Sequence, residues 1–365
     1  MMWLVLFALL IVLSIGGIIY LLSRIRRFQF IQKIAARSKL LSWLVTLLPL
    51  AAVGSLYFIN IFAVIVALIH LFFIWVLCDF IAWIYRKCAK KQRTRNIEGA
   101  CAIVLTAAVL CMGWYLAHHV YETDYRFETN KPLPDGHLRV AMLADSHLSI
   151  TLSGADFAAQ IERIKATKPD MLVIVGDYID DDTDAQDMYD ATAALGTVDF
   201  PVYFVLGNHD KGYYQSRSFS IDEVCDALEQ QGVIILEDEA ASFAEGVDII
   251  GRLDRSFPER AEISALTGAL DSNSYKIVLD HQPNDYANEA ASGADLVLSG
   301  HTHGGHIFPA GQIGLLMGAN DRIYGTETRG DTTFLVTSGI SGWAIPFKTG
   351  TISEYVIIDI DEVQS

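Results

Sequence analysis

The sequence predicts an α/β domain carried behind an α-helical membrane region, and three observations make that prediction. Charge is unevenly divided. Residues 1–120 hold twelve of the 27 Lys and Arg but only two acids, Asp79 and Glu98, a net of +10; residues 121–365 hold the other fifteen bases and 41 acids, a net of −26. Hydrophobic residues make up 52% of the chain and mean hydropathy is +0.32, with the excess in the first third. After residue 137, short apolar runs alternate with helix-periodic segments, the pattern of an α/β domain whose strands pair largely in parallel at its start. A chain of 365 residues accommodates two or three domains, and composition places the cut near residue 120.

A helix needs about 20 apolar residues to cross a ~30 Å hydrocarbon core. Met2–Leu22 supplies one uncharged span. Leu40–Tyr85, with Asp79 as its only charge, supplies two joined near Asn60, and Ile97–Val120 supplies a fourth. These runs are apolar all round, unlike the one-sided stripe of a surface helix. Arg24, Arg26, Arg27, Lys33, Arg37 and Lys39 follow the first span; Arg86, Lys87, Lys90, Lys91, Arg93 and Arg95 precede the fourth. Both basic clusters are expected to face the cytoplasm. The chain is therefore expected to be a multi-pass cell-membrane protein, with everything after Val120 extracytoplasmic. The expected partner of residues 1–120 is the lipid bilayer. His70 and Asp79, inside the third span, are read as structural. An acidic outer domain repels long polyanions, which excludes general nucleic-acid binding. Four of the five cysteines lie in the apolar third and no CxxC pair is present, so cysteine defines no zinc or redox site.

Residues 121–137 are polar and carry Lys131-Pro132-Leu133-Pro134-Asp135-Gly136, which reads as a linker to a domain at 138–365. Strands are expected at 138–143, 171–175, 202–206, 233–236, 247–250, 275–279, 296–298, 333–336 and 352–360, and helices at 155–166, 185–195 and 221–231. Five strands run directly into polar residues: Asp145-Ser146-His147, Gly176-Asp177-Tyr178-Ile179-Asp180, Gly207-Asn208-His209-Asp210, Asp280-His281 and Gly300-His301-Thr302-His303-Gly304-Gly305. Ligands of α/β sheets collect at C-terminal strand ends. Extended backbone at 301–303 would point both imidazoles to one side, with the flanking glycines giving a phosphate room to approach.

The candidate ligands are Asp145, His147, Asp177, Asn208, His281, His301 and His303. Seven N and O donors without a thiolate exceed one tetrahedral site and suit two divalent ions, Mn²⁺, Fe²⁺ or Zn²⁺, sharing a carboxylate. Such a pair activates water and clamps the oxygens of an in-line displacement at phosphorus.

These motifs, in this order, resemble the calcineurin-like metallophosphoesterase superfamily over residues 138–360. Gly304-Gly305 and the closing Gly342–Ile358 stretch resemble its membrane-associated bacterial phosphodiesterase branch, which includes lipid-active enzymes. The resemblance implies a two-sheet β-sandwich flanked by helices. It also implies that Asp145, His147 and His303 hold one metal, that Asn208, His281 and His301 hold the other, and that Asp177 bridges them. His209 would protonate the leaving oxygen, oriented by Asp210, and Asp180 would support the site through hydrogen bonds. The expected activity is hydrolysis of a phosphate ester, most specifically a lipid-linked or cell-envelope phosphodiester. The competing expectation is a non-catalytic metal-binding scaffold or sensor at the membrane.

Overall fold

Which face of a strand is buried follows from the two-residue alternation of its side chains, and where both faces are apolar the strand lies between two layers. A computed structural model describes residues 2–90, 95–213 and 216–363, with side chains from residue 13 onward. The chain divides into two units, Met1–Met112 and Gly113–Ser365.

The first unit contains α1 (Met2–Ile25), α2 (Gln29–Ala35), α3 (Lys39–Gly54), α4 (Ile61–Ala89) and most of α5 (Ile97–His118). Three segments are long and apolar enough to cross a membrane: Lys39–Phe58, Ile61–Ala89 and Ile97–His118. The first expected span is helical, but the part of it with described side chains, Leu13–Ile25, is shorter than a crossing. Among the residues with described side chains there are thus three helices of crossing length where four were expected. The turn near Asn60 is where the sequence places it, because the Asn60 side chain accepts from the Ala63 N–H (2.8 Å) and caps α4. Asp79 accepts from the Tyr20 hydroxyl (2.9 Å) and pairs with Arg24 Nε (2.7 Å). His70 Nδ1 bonds the Val66 carbonyl of its own helix (2.8 Å). Both polar groups find partners within this unit, in line with a structural role. Lys91 and Arg93, counted in the second basic cluster, lie outside the described residues.

The second unit holds β1 (Val120–Thr129), β2 (His137–Leu143), β3 (Met171–Val175), β4 (Val202–Val205), β5 (Val233–Ile235), β6 (Glu239–Ala244), β7 (Val247–Gly251), β8 (Tyr275–Leu279), β9 (Leu296–Ser299), β10 (Gly325–Arg329), β11 (Thr332–Val336) and β12 (Ser353–Glu362). One sheet runs β1-β12-β2-β3-β4-β5 and the other β10-β11-β9-β8-β7-β6. Strands β2 to β5 are mutually parallel, as are β7, β8, β9 and β11. Leu138, Val140 and Met142 of β2 meet Ile277 and Leu279 of β8 in a core between the sheets. The alternate residues Ala141 and Leu143 pack outward on α6 (Gly154–Ala166), α7 (Ala185–Leu195) and α8 (Ile221–Gln230). On the far side, Val278 and Val297 pack against Ile263 and Tyr286. Each such buried aliphatic side chain contributes about 1.5–3 kcal/mol relative to exposure.

The reading of 121–137 as a linker is corrected: residues 120–129 form β1, paired in parallel with β12 through ten register positions. Its pattern Tyr-Glu-Thr-Asp-Tyr-Arg-Phe-Glu alternates strictly, and Tyr125 and Phe127 pack on the core between the sheets. High polarity belongs to its exposed face only. Strands β6 and β10 were not expected either; both are sheet edges, and neither contains a buried residue.

Candidate metal centre

The residues expected at five strand ends converge at one site. Asp145 and His147 follow β2, Asp177 follows β3, Asn208 follows β4, His281 follows β8, and His301 and His303 follow β9. Parallel neighbours deliver their C-terminal ends to one edge, so the topology does the gathering. The turns are tight. Asp145 (φ 55°), His147 (φ 35°), Asp177 (φ 53°), His301 (φ 67°) and His303 (φ 47°) all adopt left-handed backbone, at about 1–3 kcal/mol each. The 301–303 segment is therefore a turn rather than the extended run expected, and that turn sends its two imidazoles to different groups.

Asp145, His147 and His303 place ligand atoms within 4.8 Å of one another, as do Asp177, His281 and His301. Asp177 stands between the groups: its Oδ2 is 2.9 Å from His281 Nε2 and 3.6 Å from His147 Nε2. His281 Nδ1–H donates to the Val175 carbonyl (2.8 Å), so Nε2 is the nitrogen that faces that carboxylate. A proton on Nε2 satisfies that 2.9 Å approach, and so does a cation, since two ligands on one ion with bonds of about 2.1 Å stand about that far apart. Asn208 is oriented in the same sense. Its Nδ2 donates to the Tyr213 hydroxyl (2.9 Å), and its buried Oδ1 makes no hydrogen bond among the described residues. Both groups thus fit a divalent cation by their donor atoms and by the acceptors left open.

Burial would lower the His281 imidazole, but the Asp177 and Asp145 carboxylates outweigh it and raise it well above its ordinary value, so without an ion a proton sits between His281 and Asp177. Burial would raise the Asp177 carboxyl, but His281 and His147 outweigh it and hold that group well below the usual carboxylate range. Burial pushes Asp145 up to about 6, against the nearby imidazoles and the His301 N–H, which donates to both of its oxygens (2.9 and 3.1 Å). Burial lowers His301 to about 4 and His303 well below its ordinary value, so both are neutral, as metal ligation requires.

His209 projects beside the two groups, and the carboxylate next to it is that of Asp180, not Asp210. Asp180 Oδ1 lies 3.5 Å from His209 Nδ1, and its Oδ2 lies 3.1 Å from His147 Nδ1. Asp210 instead turns inward. Its Oδ2 accepts from the N–H groups of Asp177 (2.9 Å) and Gly207 (2.7 Å), and its Oδ1 from Ile179 (3.0 Å). The expected orienting role of Asp210 is thus corrected: it fastens the turns after β3 and β4. Gly207 lets those turns meet, since a Cβ there would lie 2.2 Å from Asp177 Oδ1. Gly304 also lets its turn pack closely, since a Cβ there would strike Thr351 and Ser338.

Several neighbours carry no sequence signal. Tyr213 and Trp343 flank His209, with ring centroids 5.1 and 5.3 Å away. His306 stacks on His303 at 5.2 Å. Buried Lys348 donates to the carbonyls of Ser338 (2.8 Å), Gly339 (3.1 Å) and Ile352 (3.0 Å), pinning the turn against which Asp145 packs.

Fold and site define a two-sheet α/β protein with adjoining N/O cation sites at its strand ends. Residues 138–305 match the family model described as calcineurin-like phosphoesterase. A metallophosphoesterase of Aquifex aeolicus is 31% identical over 245 residues, 65% of this chain and 90% of that protein. One of Campylobacter jejuni is 29% identical over 304 residues, covering 80% and 78% of the two chains. A Bos taurus transmembrane protein with metallophosphoesterase domain is 28% identical over 60% of this chain and 51% of its own length. Among solved structures, a dimetal phosphatase from Danio rerio shares 13% identity at a TM-score of 0.38, covering 55% of this chain and 87% of its own. The chain belongs to the calcineurin-like metallophosphoesterase family.

Proposed function

We propose that the chain is a membrane-anchored, metal-dependent phosphoesterase, specifically a phosphodiesterase acting on a lipid-linked or cell-envelope phosphate ester outside the cytoplasmic membrane. The observation that carries this reading is Asp177 Oδ2 standing between His281 and His147, each within a separate ligand group. Asp145, His147 and His303 would hold one divalent ion, Asn208, His281 and His301 the other, and Asp177 would contact both. When bound, Mn²⁺, Fe²⁺ or Zn²⁺ would supply Lewis acidity and an activated water.

The chain's own groups would do the rest. Burial works against a charged His209, but the Asp180 and Asp177 carboxylates outweigh it and raise the imidazole above its ordinary pKa. His209 would therefore carry a proton to the ester's leaving oxygen, with Asp180 fixing its ring. Tyr213 and Trp343, on either side of His209, would enclose the leaving group and exclude water. The crossing-length helices and the transmembrane relative support the membrane setting, and with it a lipid-borne substrate.

The test is turnover of a chromogenic phosphodiester and a monoester by the full chain, with Mn²⁺ and with chelator. The diester should be cleaved faster, and only with metal. Asp177→Ala should abolish turnover, and His209→Ala should slow it by about 10²–10⁴-fold while metal stays bound. Equal turnover by all three proteins overturns the reading. Lipid phosphates in detergent left intact while soluble diesters are cleaved would remove the lipid specificity alone.

A further inference from the structure

We propose that residues 307–319 insert into the surface of a lipid bilayer and hold the metal centre there. The segment Ile307-Phe308-Pro309-Ala310-Gly311-Gln312-Ile313-Gly314-Leu315-Leu316-Met317-Gly318-Ala319 contains no charge, although residues 121–365 carry a net of −26. Its helix, Ala310–Leu316, buries none of its residues. Phe308 is 60% exposed, Leu316 88% and Met317 80%, with Ile313 and Leu315 also exposed. Single exposed apolar side chains are ordinary, but a contiguous run of this kind marks an interaction surface.

The segment is nonetheless firmly rooted. The carbonyl of buried His306 accepts from the N–H groups of Thr349 (3.0 Å) and Gly350 (3.1 Å), and Phe308 N–H donates to Thr349 Oγ1 (3.2 Å). Gly311 lies against Gly305, where a Cβ would sit 2.3 Å from Cα. Held in this way, the side chains of 308–317 cannot fold back to bury themselves.

The occupant is lipid, for two reasons. Gly113–His118, the closing residues of α5, fold with the second unit and use the same anchor: Lys348 N–H donates to the Gly113 carbonyl (2.9 Å), and Phe347 meets Trp114 edge-to-face at 5.7 Å. The helix ending there is of membrane-crossing length. A second copy of the chain is disfavoured because residues 121–365 carry a net of −26 and repel their like. Uncharged apolar insertion depends on buried area rather than headgroup charge, so phosphatidylcholine suffices. The segment starts one residue beyond His306, whose ring stacks on the ligand His303, so a phosphate ester at the bilayer surface would lie close to the ligands. That use rests on the lipid-borne substrate proposed above; insertion itself does not.

The experiment uses the full chain in phosphatidylcholine nanodiscs, its five cysteines replaced by serine. An environment-sensitive fluorophore is placed at Leu316→Cys or, for comparison, at Tyr189→Cys on α7. Doxyl-labelled lipid should quench the label at 316 several-fold more than that at 189. Equal quenching at both, or none at 316, overturns insertion. So does a label at 316 shielded from aqueous iodide yet untouched by doxyl lipid, which would indicate a protein partner or second copy. In an unlabelled chain, Leu316→Glu with Met317→Glu should lower turnover of a bilayer-borne phosphodiester about tenfold and leave a soluble diester unaffected; a parallel loss of both overturns the proposal. Quenching at 316 without cleavage of any bilayer-borne diester by the parent chain would refute the lipid substrate and leave insertion standing.

Discussion

Asp180 stands between two imidazoles, with its oxygens 3.1 Å from His147 Nδ1 and 3.5 Å from His209 Nδ1. A carboxylate at Nδ1 fixes the tautomer and turns Nε2 toward the cleft, toward a cation for His147 and toward a leaving group for His209. Burial opposes the Asp180 charge, but the two imidazoles outweigh it and hold the carboxyl well below its usual range. Asp180→Asn keeps the shape and removes the charge. It should lower kcat about 10–100-fold with KM for a soluble diester nearly unchanged, and metal content should fall less than activity. Unaltered kcat would show that the carboxylate is idle. The sequence distinguishes the candidate ligands well, because each follows a buried strand and is Asp, Asn or His. It distinguishes orienting groups poorly. Asp210 adjoins His209 along the chain, yet its carboxylate is used on three backbone N–H groups. The pairing of His209 with Asp180 depends on how two loops meet, as does its enclosure by Tyr213 and Trp343.

Beneath His281, the end of β8 is held by a buried ion network. Arg252, which follows β7, places one guanidinium nitrogen 3.0 Å from Asp280, 2.9 Å from Asp285 and 3.1 Å from Glu289, and Arg260 also bonds Asp280. Asp280 and Glu289 are almost fully buried. Arg252→Met would leave them without their shared cation at a cost of about 3–5 kcal/mol. Burial and Asp280 already push the Glu289 carboxyl well above its usual range. A carboxyl raised in the folded state favours folding below its unfolded pKa and loses that advantage as pH rises, so the deficit should be smaller near pH 5 than near pH 8. Thermal unfolding at both pH values checks this, and an unchanged melting temperature would show that the network contributes nothing. Strands such as β3 and β8 are legible in sequence because both faces are apolar. β1, β6 and β10 are not, because an edge or one-sided strand earns its place from a distant partner. β1 pairs with β12, more than 200 residues away along the chain, and only its alternation hints at this.

The side of the membrane on which the metal centre lies depends on fewer helices than the full topology does. Lys39–Phe58 and Ile61–Ala89 are both of crossing length and are joined by a turn capped at Asn60, so as a pair of spans they would cross out and back. The segment from Arg86 to Arg95 then lies on the same side as Arg24–Lys39, and both are basic. Basic loops stay cytoplasmic because moving Lys and Arg across the bilayer is costly. If the basic segments are cytoplasmic as proposed, a crossing by Ile97–His118 would carry everything after it outward, whether or not Met2–Ile25 spans the membrane. That first helix decides only where the N-terminus lies. The expected result is that protease added to spheroplasts digests the chain beyond His118, while the 86–95 segment is cut only after lysis. A reporter active only outside the cytoplasm should report activity when fused after Glu362. A reporter fused before Met1 would separate the four-span arrangement, with the N-terminus outside, from the three-span one, with it inside. Protection of residues 119–363 in intact spheroplasts would place the metal centre in the cytoplasm and rule out an envelope substrate on the outer face.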